Sequence, residues 1–361
     1  MLERILVVGA GLIGTSIGLA LYDVRDVLLH DVDREVLGQA CARGAGRAWD
    51  GRETASLAVV AVPPARAAGV LLELQRAAIA PALTHVCSVQ SRVEDEVQAA
   101  GLRMTDFCGG HPLSGRETSG PGAATAGLFA GRPWLICPAA GSSKAALAAV
   151  RGLATACHAE PVVTSAREHD ELVALISHLP QVAASAVAAQ LLGRPDAAQL
   201  AGPGLQDTTR VAASDPGLWV DVLAANAGFV APLVRALAGD LATLATALDQ
   251  LTDDDAAARG AAAVVRDLLE RGVAGRTHVS VKRGDSEAAF SRVAVSVSDQ
   301  PGQLAALFQC AADAQVNVED VRVEHLPGSA TGVIELLVQP AEAERLQRAL
   351  VAAGVSLVGG G

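Results

Sequence analysis

The chain of 361 residues contains very little lysine and few aromatic residues. Lysine occurs only at Lys144 and Lys282, and aromatic residues make up 2% of the sequence. With so few aromatic side chains, the cores must be built mainly from alanine, valine and leucine. No uninterrupted apolar run is as long as a membrane span, and the N-terminus lacks a signal-peptide pattern. We therefore expect no membrane partner.

Metal-binding cysteine patterns are also missing. The six cysteines form no C-x-x-C pair and show no metal-like spacing, which predicts reduced thiols in a cytoplasmic protein and no metal site. They are Cys41, Cys87, Cys108, Cys137, Cys157 and Cys310. The net charge of −11 disfavours nucleic acid and anionic membranes as partners. An anionic substrate would therefore need arginines placed at its own site.

What the chain does contain, up to about residue 164, is short apolar runs that alternate with amphipathic helical stretches. Residues 4–8, 27–30, 57–62 and 83–86 are predicted strands, and residues 134–137 and 161–163 are expected to add late strands. This alternation predicts an α/β Rossmann-type domain over residues 1–164, with a parallel, doubly wound sheet.

From residue 165 the pattern becomes helical and rich in alanine. We expect one helix over 167–192 with a kink at Pro180, a long helix over 217–251, and a third helix that opens at Asp253, Asp254 and Asp255. So much apolar helical surface predicts an all-α substrate and dimerisation domain over residues 165–275. A polar linker over 276–288 is expected to lead into an α+β domain over 289–361 with a β-α-β-β-α pattern.

A dinucleotide-binding signature follows the first predicted strand. Gly9, Gly11 and Gly14 form a G-x-G-x-x-G turn that opens a helix, so Gly9 would make the tight turn and Gly11 would meet a pyrophosphate. Asp31 ends the second strand, where a carboxylate accepts both ribose hydroxyls of NAD and repels a 2′-phosphate. Arg34 nearby leaves NADP open.

The segment from Gly109 to Gly120 reads G-G-H-P-L-S-G-R-E-T-S-G. Its glycines allow backbone to approach a ligand closely, and the proline fixes the turn that presents His111. A histidine displayed in this way beside a nicotinamide is a candidate general base. Taken alone, the segment also fits a surface loop that happens to contain a histidine.

Two further groups lie in the helical part. Asp170, Ser177 and Gln181 are spaced to share one helix face, while His178 fits either a substrate site or a satisfied core network. Asp207 and Arg210 are three residues apart, so the carboxylate can orient the guanidinium for bidentate binding of a substrate carboxylate. A surface ion pair is the alternative for these two.

Taken together, these motifs make the chain resemble the prephenate dehydrogenase family along nearly its whole length. The motifs that support the resemblance are, in chain order, G-A-G-L-I-G at 9–14, A-V-P-P at 61–64, S-V at 88–89, the 109–120 segment, H-D-E-L-V at 169–173, S-H-L-P at 177–180, D-T-T-R at 207–210 and W-V-D-V at 219–222. The C-terminal part resembles an ACT domain through D-Q-P-G-Q-L at 299–304 and V-N-V-E-D at 316–320.

The resemblance implies NAD-dependent oxidative decarboxylation of prephenate to 4-hydroxyphenylpyruvate by a homodimer. His111 would be the base and Ser88 would bind it or the substrate hydroxyl. The remaining implied residues fall into three sets. The substrate would be bound by Arg210, Glu117, Ser114, Arg116, His178, Gln181 and Asp207; the cofactor by Gly9, Gly11, Leu12, Ile13, Gly14, Asp31, Val62 and Pro63; and a regulatory amino acid, tyrosine, by Asp299, Gly302, Leu304 and Asn317.

Three glutamines depart from the family pattern. Gln90, Gln181 and Gln206 stand where basic residues are common, which removes positive charge near a dianionic substrate and leaves arogenate open as the substrate. Two more distant functions are weighed against the sequence. A β-hydroxyacid dehydrogenase would need a helix-borne lysine, which the candidate site helices lack. A non-enzymatic amino-acid sensor would not need His111, Ser88 and Arg210. For the C-terminal domain, a purely structural or dimerising appendage is the alternative.

Overall fold

The computed structural model describes residues 3–116, 118–251, 256–279, 290–298, 300–325 and 331–358. The chain divides into two compact units, Met1–Ala238 and Gly239–Gly361. The predicted domain boundaries at 164, 275 and 288 stay predictions. Most of the predicted linker, including residues 280–288, lies outside the described residues, as do Asp253, Asp254 and Asp255.

The first unit is built on a five-stranded parallel sheet with the strand order β3-β2-β1-β4-β5. Its strands are β1 (Arg4–Val8), β2 (Asp26–His30), β3 (Arg47–Ala48), β4 (Leu57–Val60) and β5 (Leu83–His85). Its helices are α1 (Leu12–Leu21), α2 (Arg34–Ala42), α3 (Pro64–Arg76) and α4 (Ser91–Ala99). This confirms the predicted Rossmann-type fold, to which the structure adds the two-residue strand β3.

Strand β1 shows why both faces of this sheet are covered. Ile5 and Val7 pack into one hydrophobic cluster, whereas Leu6 and Val8 pack into another. Because side chains alternate between the faces of a strand, the two clusters lie on opposite sides of the sheet. The strand order reverses between β1 and β4, which places a ligand crevice at the carboxyl ends of these strands.

The late strands form a separate sheet instead of extending the first one. Strands β6 (Gly109–Pro112), β7 (Pro133–Cys137) and β8 (Glu160–Val163) form a three-stranded sheet, and α5 (Lys144–Ala156) lies between β7 and β8 in the chain. Strand β6 pairs antiparallel with β7. An isolated parallel bridge from Leu83 to Phe107 links β5 to the segment before β6. The segment that carries His111, for which a surface loop was the alternative, therefore begins as a strand.

The helical part of the first unit begins with two helices joined by a π-helical turn. Helix α6 (Ala166–Val173), the turn Ala174–His178 and α7 (Leu179–Ala189) replace the single kinked helix that we expected. Pro180 explains the change, because it has no N–H to donate and its ring displaces the carbonyl one turn earlier, at Ile176. The wider turn moves every later residue around the helix axis.

Further along, the predicted helix over 217–251 is broken. Short helices α8 (Pro195–Gln199) and α9 (Pro203–Thr209) come first, followed by the 3₁₀ turn Arg210–Ala213. Helix α10 (Pro216–Ala225) then ends at Asn226, and α11 (Ala227–Gln250) begins after it. At the break, the Asn226 side chain is buried, donates to the backbone carbonyl of Asp170 and lies within hydrogen-bond distance of His178.

The second unit contains α12 (Ala256–Arg276) and a small antiparallel domain. In chain order, the domain consists of β9 (Ser291–Ser298), α13 (Gln303–Asp313), β10 (Val318–His325), β11 (Thr331–Val338), α14 (Pro340–Ala352) and β12 (Ser356–Leu357). The strand order β10-β11-β9-β12 and the β-α-β-β-α-β succession are ferredoxin-like, which confirms the predicted α+β class and adds β12. Val295, Leu336 and Leu346 lie at the centre of its core.

Within the part of the chain that the structure describes, two helical stretches are long and apolar enough to cross a membrane, judged by length and composition alone. They are Ala166–Ala189 and Ala227–Gln250, with 28% and 6% of the tested window buried in the single chain. Core helices of dimers pass the same test, so the result is weak support for a membrane span. It does establish that Ala227–Gln250 carries a largely uncovered apolar surface.

Candidate active site

The glycine-rich turn has the close packing that its sequence predicts. Gly9 adopts a φ of +103°, and a Cβ atom there would collide with the carbonyl oxygen of Ala61. A Cβ at Gly14 would collide with the carbonyl oxygen of Gly9, whereas a Cβ at Gly11 would meet nothing within 4 Å. Gly11 starts α1 without a side-chain cap. The first N–H groups of α1 are therefore open to an anionic ligand.

A cavity of about 630 Å³ lies at this end of the sheet. Five of the predicted cofactor residues line it, namely Gly9, Gly11, Asp31, Val62 and Pro63. Leu12 and Ile13 instead pack against the hydrophobic core. Asp31 accepts the backbone N–H of Ala10 at 2.7 Å, so its carboxylate is held at the cavity wall.

Two residues that line this cavity were not predicted from the sequence. Trp49 and Arg66 line it, and the Trp49 ring packs edge-on against His30 with 5.8 Å between ring centroids. Gly120 also lines the cavity, so the His111 segment ends beside it. Trp49 directly follows the two-residue strand β3, which is too short to give a periodic signal.

The two glycines before His111 let β6 approach its neighbours. A Cβ at Gly109 would stand 2.5 Å from Oε1 of Gln90, and one at Gly110 would stand 3.0 Å from Nε1 of Trp134. His111 itself pairs with Leu135 on β7 and is half-buried. Strand pairing thus holds the histidine in place on a β-sheet.

His111 is the first member of a line of hydrogen-bonded side chains. Its Nδ1 lies 2.9 Å from Nε2 of His169, and Nδ1 of His169 lies 2.8 Å from Oδ1 of Asp170. His169 and Asp170 are buried, with 0% and 1% exposure. The line joins β6 to α6, which are about 60 residues apart in the chain.

The loop before α4 anchors this line from the other end. The backbone N–H groups of Gln90 and Ser91 each donate to the Asp170 carboxylate at 2.8 Å. The Gln90 side chain donates through Nε2 to the carbonyls of Cys87 (2.8 Å) and Gly110 (3.2 Å). Gln90, one of the glutamines that depart from the family pattern, therefore tethers the strand that carries His111.

Burial sets the charge state of the histidines around this line. Burial is the main cause that holds the pKa of His111 well below 6.5, with contributions from His169, His178 and His85. Burial likewise lowers the pKa of His178 to about 4 and that of His85 to about 3. His111 is therefore neutral at physiological pH, as a general base must be.

His178 fits the core-network alternative in part. It is buried, its Nδ1 lies 3.1 Å from Nδ2 of Asn226, and its ring packs edge-on against Trp219. The expectation that Ser177 shares the face of Asp170 was wrong. Ser177 is exposed while His178 is buried, because the π-helical turn rotates the later residues.

The predicted groups of the helical domain are less enclosed. Arg210 and Asp207 are both exposed, and Gln206 is exposed as well. Gln181 is buried and lines a second cavity, of about 280 Å³, together with Trp219. Of the three glutamines, the structure thus places Gln90 at the histidine line and Gln181 at the second cavity.

The other predicted residues have mixed positions. Ser88 is half-buried in the segment between β5 and α4, and His111 bonds to His169 and not to Ser88 through Nδ1. The Ser114 hydroxyl donates to the Leu128 carbonyl at 2.6 Å, and Arg116 is exposed. Glu117 lies outside the described residues.

In the C-terminal domain, Gly302 and Leu304 lie at the start of α13, whereas Asn317 lies beyond its end, directly before β10. Gly302 caps this helix in the left-handed conformation with a φ of +94°. Leu304 is 41% exposed, and the Asn317 amide donates to Glu319. Asp299 lies outside the described residues.

Sequence reasoning assigned no role to His169 and did not use Asn226. The H-D pair at 169–170 was visible, but adjacent helical residues do not normally face each other, so a bond between their side chains was not expected. Asn226 was hidden inside what looked like one continuous helix. The sequence places His85 at the end of a buried strand and indicates no functional role for it.

Comparison with known proteins identifies the family. The model described as "Prephenate dehydrogenase, nucleotide-binding domain" matches residues 22–163, and "Prephenate dehydrogenase, dimerization domain" matches residues 165–259. A curated relative, the probable prephenate dehydrogenase NovF of Streptomyces niveus, is 38% identical over 344 residues, which cover 94% of this chain and 95% of that protein. The chain belongs to the prephenate dehydrogenase family.

Solved structures of prephenate dehydrogenase and arogenate dehydrogenase share the fold. The prephenate dehydrogenase of A. aeolicus, in complex with hydroxyphenyl propionate and NAD+, aligns with a TM-score of 0.65 at 21% identity and covers 76% of this chain and 98% of its own. The arogenate dehydrogenase of Synechocystis aligns with a TM-score of 0.61 at 23% identity, covering 77% and 100%. Both largely uncovered apolar stretches, 166–189 and 227–250, fall within the dimerization-domain match.

Proposed function

We propose that this member of the prephenate dehydrogenase family catalyses the NAD-dependent oxidative decarboxylation of prephenate to 4-hydroxyphenylpyruvate, a step of tyrosine biosynthesis. The observation that carries the proposal is that the segment from Gly109 to Gly120, which contains His111, ends at the glycine-lined cavity, since Gly120 lines that cavity. One end of the segment thus lies at the nucleotide site, and the other carries a neutral histidine.

The residues of the cavity fit NAD. The uncapped N-terminus of α1 and the open backbone at Gly11 suit a pyrophosphate, and the Asp31 carboxylate suits ribose hydroxyls. Asp31 also disfavours the 2′-phosphate of NADP through charge repulsion. When bound, the nicotinamide accepts the hydride released from C4 of the substrate ring.

His111 would act as the general base in this reaction. It takes the ring hydroxyl proton as the hydride leaves C4, so that a carbonyl forms. The bond to the departing carboxylate then breaks, its electron pair completes the aromatic ring, and the oxygen takes a proton back. Prephenate and NAD+ are thereby converted to 4-hydroxyphenylpyruvate, carbon dioxide and NADH without net release of a proton.

The substrate would be held by Arg210 through a carboxylate, with Ser88 at the ring hydroxyl and Ser114, Arg116, Glu117, His178, Gln181 and Asp207 around it. Arginine suits this role because its guanidinium binds carboxylates bidentately. Exposure of Arg210 in the single chain is compatible with binding from solvent.

Arogenate is the second candidate substrate. Two buried positions near the proposed site carry the neutral side chains of Gln90 and Gln181. An amino group on the substrate reduces the need for protein cations, because it offsets one carboxylate charge. Turnover of prephenate and of arogenate, followed in parallel as NADH absorbance with purified protein, distinguishes the two. No NADH from either substrate would overturn the enzymatic proposal.

We further propose that the protein is a cytoplasmic homodimer regulated by tyrosine at its C-terminal ACT-like domain. The six free cysteines support a cytoplasmic location, and the apolar surface of 227–250 supports a dimer.

Regulation by tyrosine is supported by the left-handed Gly302 at the start of α13 and by the exposed Leu304 beside it. Tyrosine inhibition should be lost in a chain that ends near residue 287 and weakened in Asn317→Ala; unchanged inhibition in both would overturn the regulatory proposal.

A further inference from the structure

Two buried residues, His169 and Asp170, lie on the Nδ1 side of His111, away from its Nε2 atom. His169 bonds His111 at 2.9 Å and Asp170 at 2.8 Å, so three titratable side chains lie in one line. Neither His169 nor Asp170 reaches solvent. Their burial leaves His111 as the member of the line that a substrate can approach.

Asp170 is the fixed end of this line. Its carboxylate accepts the N–H groups of Gln90 and Ser91 at the N-terminus of α4, in addition to the bond with His169. Burial raises the pKa of this carboxyl, but hydrogen bonds from His169, Gln90 and Ser91 outweigh burial and lower the pKa overall. An ionised carboxylate can only accept hydrogen bonds.

That restriction determines where the protons lie along the line. Because Asp170 accepts, Nδ1 of His169 must donate to it. A neutral His169 then has a lone pair at Nε2, so His111 must donate its Nδ1–H. The lone pair of His111 is therefore at Nε2, the nitrogen that remains available to a substrate.

We propose that His169 and Asp170 are positioning residues of the reaction, which hold His111 in its Nδ1–H tautomer and stabilise the imidazolium that forms when His111 takes the substrate's hydroxyl proton. The inference rests on the proposed function. During the reaction, Nε2 of His111 gains the proton, Nδ1–H stays bonded to His169, and the Asp170 carboxylate offsets the new positive charge. The proton returns to the ring oxygen when the ring becomes aromatic, so the line ends in its starting state.

A purely structural role is the competing explanation, because Asp170 also joins α6 to α4. Such a role predicts that mutations weaken substrate affinity at least as much as they slow turnover. Replacing Asp170 with asparagine separates the two explanations, because it keeps the shape of the side chain and removes its charge. Asp26→Asn, at a salt-bridged site on the first residue of β2, is the control.

The first measurement reads the protonation of the intact line in the wild-type protein. Imidazole ¹⁵N shifts of the full-length protein, with the His111 signal identified by its loss in His111→Asn, should show His111 protonated at Nδ1 and bare at Nε2. Protonation at Nε2 would overturn the proposal. This experiment also keeps the inference separate from the proposed function, since the tautomer is measurable even if neither substrate is turned over.

The second measurement is steady-state kinetics with NAD and prephenate. Asp170→Asn should lower kcat by roughly 10²- to 10⁴-fold while KM changes little. Its thermal midpoint should fall under either explanation, because the new amide NH2 faces an N–H group that the carboxylate accepts at present. Asp26→Asn should leave kcat unchanged. His169→Gln keeps a polar group beside His111 but cannot also bond to Asp170, so its kcat should fall as far as that of Asp170→Asn. A kcat of Asp170→Asn within about threefold of wild type would contradict the proposal, since orienting carboxylates contribute far more than this.

Discussion

His111 and His169 share a hydrogen bond of 2.9 Å between Nδ1 and Nε2. The bond crosses from a strand of the small sheet to the first helix of the helical part, and the ring centroids are 5.1 Å apart. It leaves only one nitrogen of His111 free. The geometry therefore turns a histidine in a glycine-rich segment into a group with one defined reactive atom.

The most direct mutational prediction concerns His111. His111→Asn keeps a polar side chain of similar reach but removes the base. We expect kcat with prephenate to fall by about 10²- to 10⁴-fold with little change in KM, because a general base acts mainly in the transition state. Steady-state NADH formation measures both constants, and a loss confined to KM would argue for a binding role.

The pH dependence of kcat/KM follows from the low pKa of His111. Burial holds this pKa well below 6.5, so His111 stays neutral as the pH falls through the range in which an exposed histidine becomes charged. The acid limb of the profile should therefore lie well below pH 6.5. Initial rates between pH 5 and 9, after checks that the enzyme survives each pH, should therefore stay level through pH 6.5, and an acid limb centred near 6.5 is the contrary result.

Stability should depend on pH through His85. Its pKa falls from 6.5 to about 3 in the folded protein because the ring is buried, so the folded state binds fewer protons than the unfolded state between these values. The stabilisation is complete above pH 6.5 and is lost as the pH falls toward 3. The thermal midpoint of the wild type should thus drop more steeply between pH 7 and 4 than that of His85→Leu; equal slopes would contradict this. The buried Asp170 carboxylate contributes with the same sign in both proteins.

Cofactor preference should respond to Asp31. Asp31→Ser removes the carboxylate that lines the cavity and is expected to raise the KM for NAD by about tenfold, a loss of roughly 1.4 kcal/mol, while improving the relative use of NADP. Asp33→Ser is the control two residues away, since serine also caps α2 where Asp33 does so now. A ratio of NADP to NAD use that is unchanged in Asp31→Ser would count against the assigned role.

Much of the fold could be predicted from the sequence because its signals are local. Strand β1 has the expected bounds, since its apolar run is complete within five residues. The small sheet was harder. Nothing local indicates that β6 pairs antiparallel with β7 rather than extending the main sheet, because pairing depends on residues about 25 positions apart.

The candidate site was predictable where a motif stands alone and less so where side chains meet across elements. Gly9, Gly11 and Asp31 line one cavity as expected. The line from His111 to Asp170 depends on a contact between residues 58 positions apart, which has no periodic signature. The role of Gln90 likewise depends on backbone carbonyls that the sequence does not locate.

Oxidation of a cyclohexadienyl acid with NAD by means of His111 is the central property that we propose for this chain. Its most direct test is NADH absorbance after mixing purified protein and NAD with prephenate or with arogenate, in the wild type and in His111→Asn. We predict rapid NADH formation from prephenate by the wild type and almost none by His111→Asn. Absence of NADH from both substrates, or equal rates in the two proteins, would contradict it.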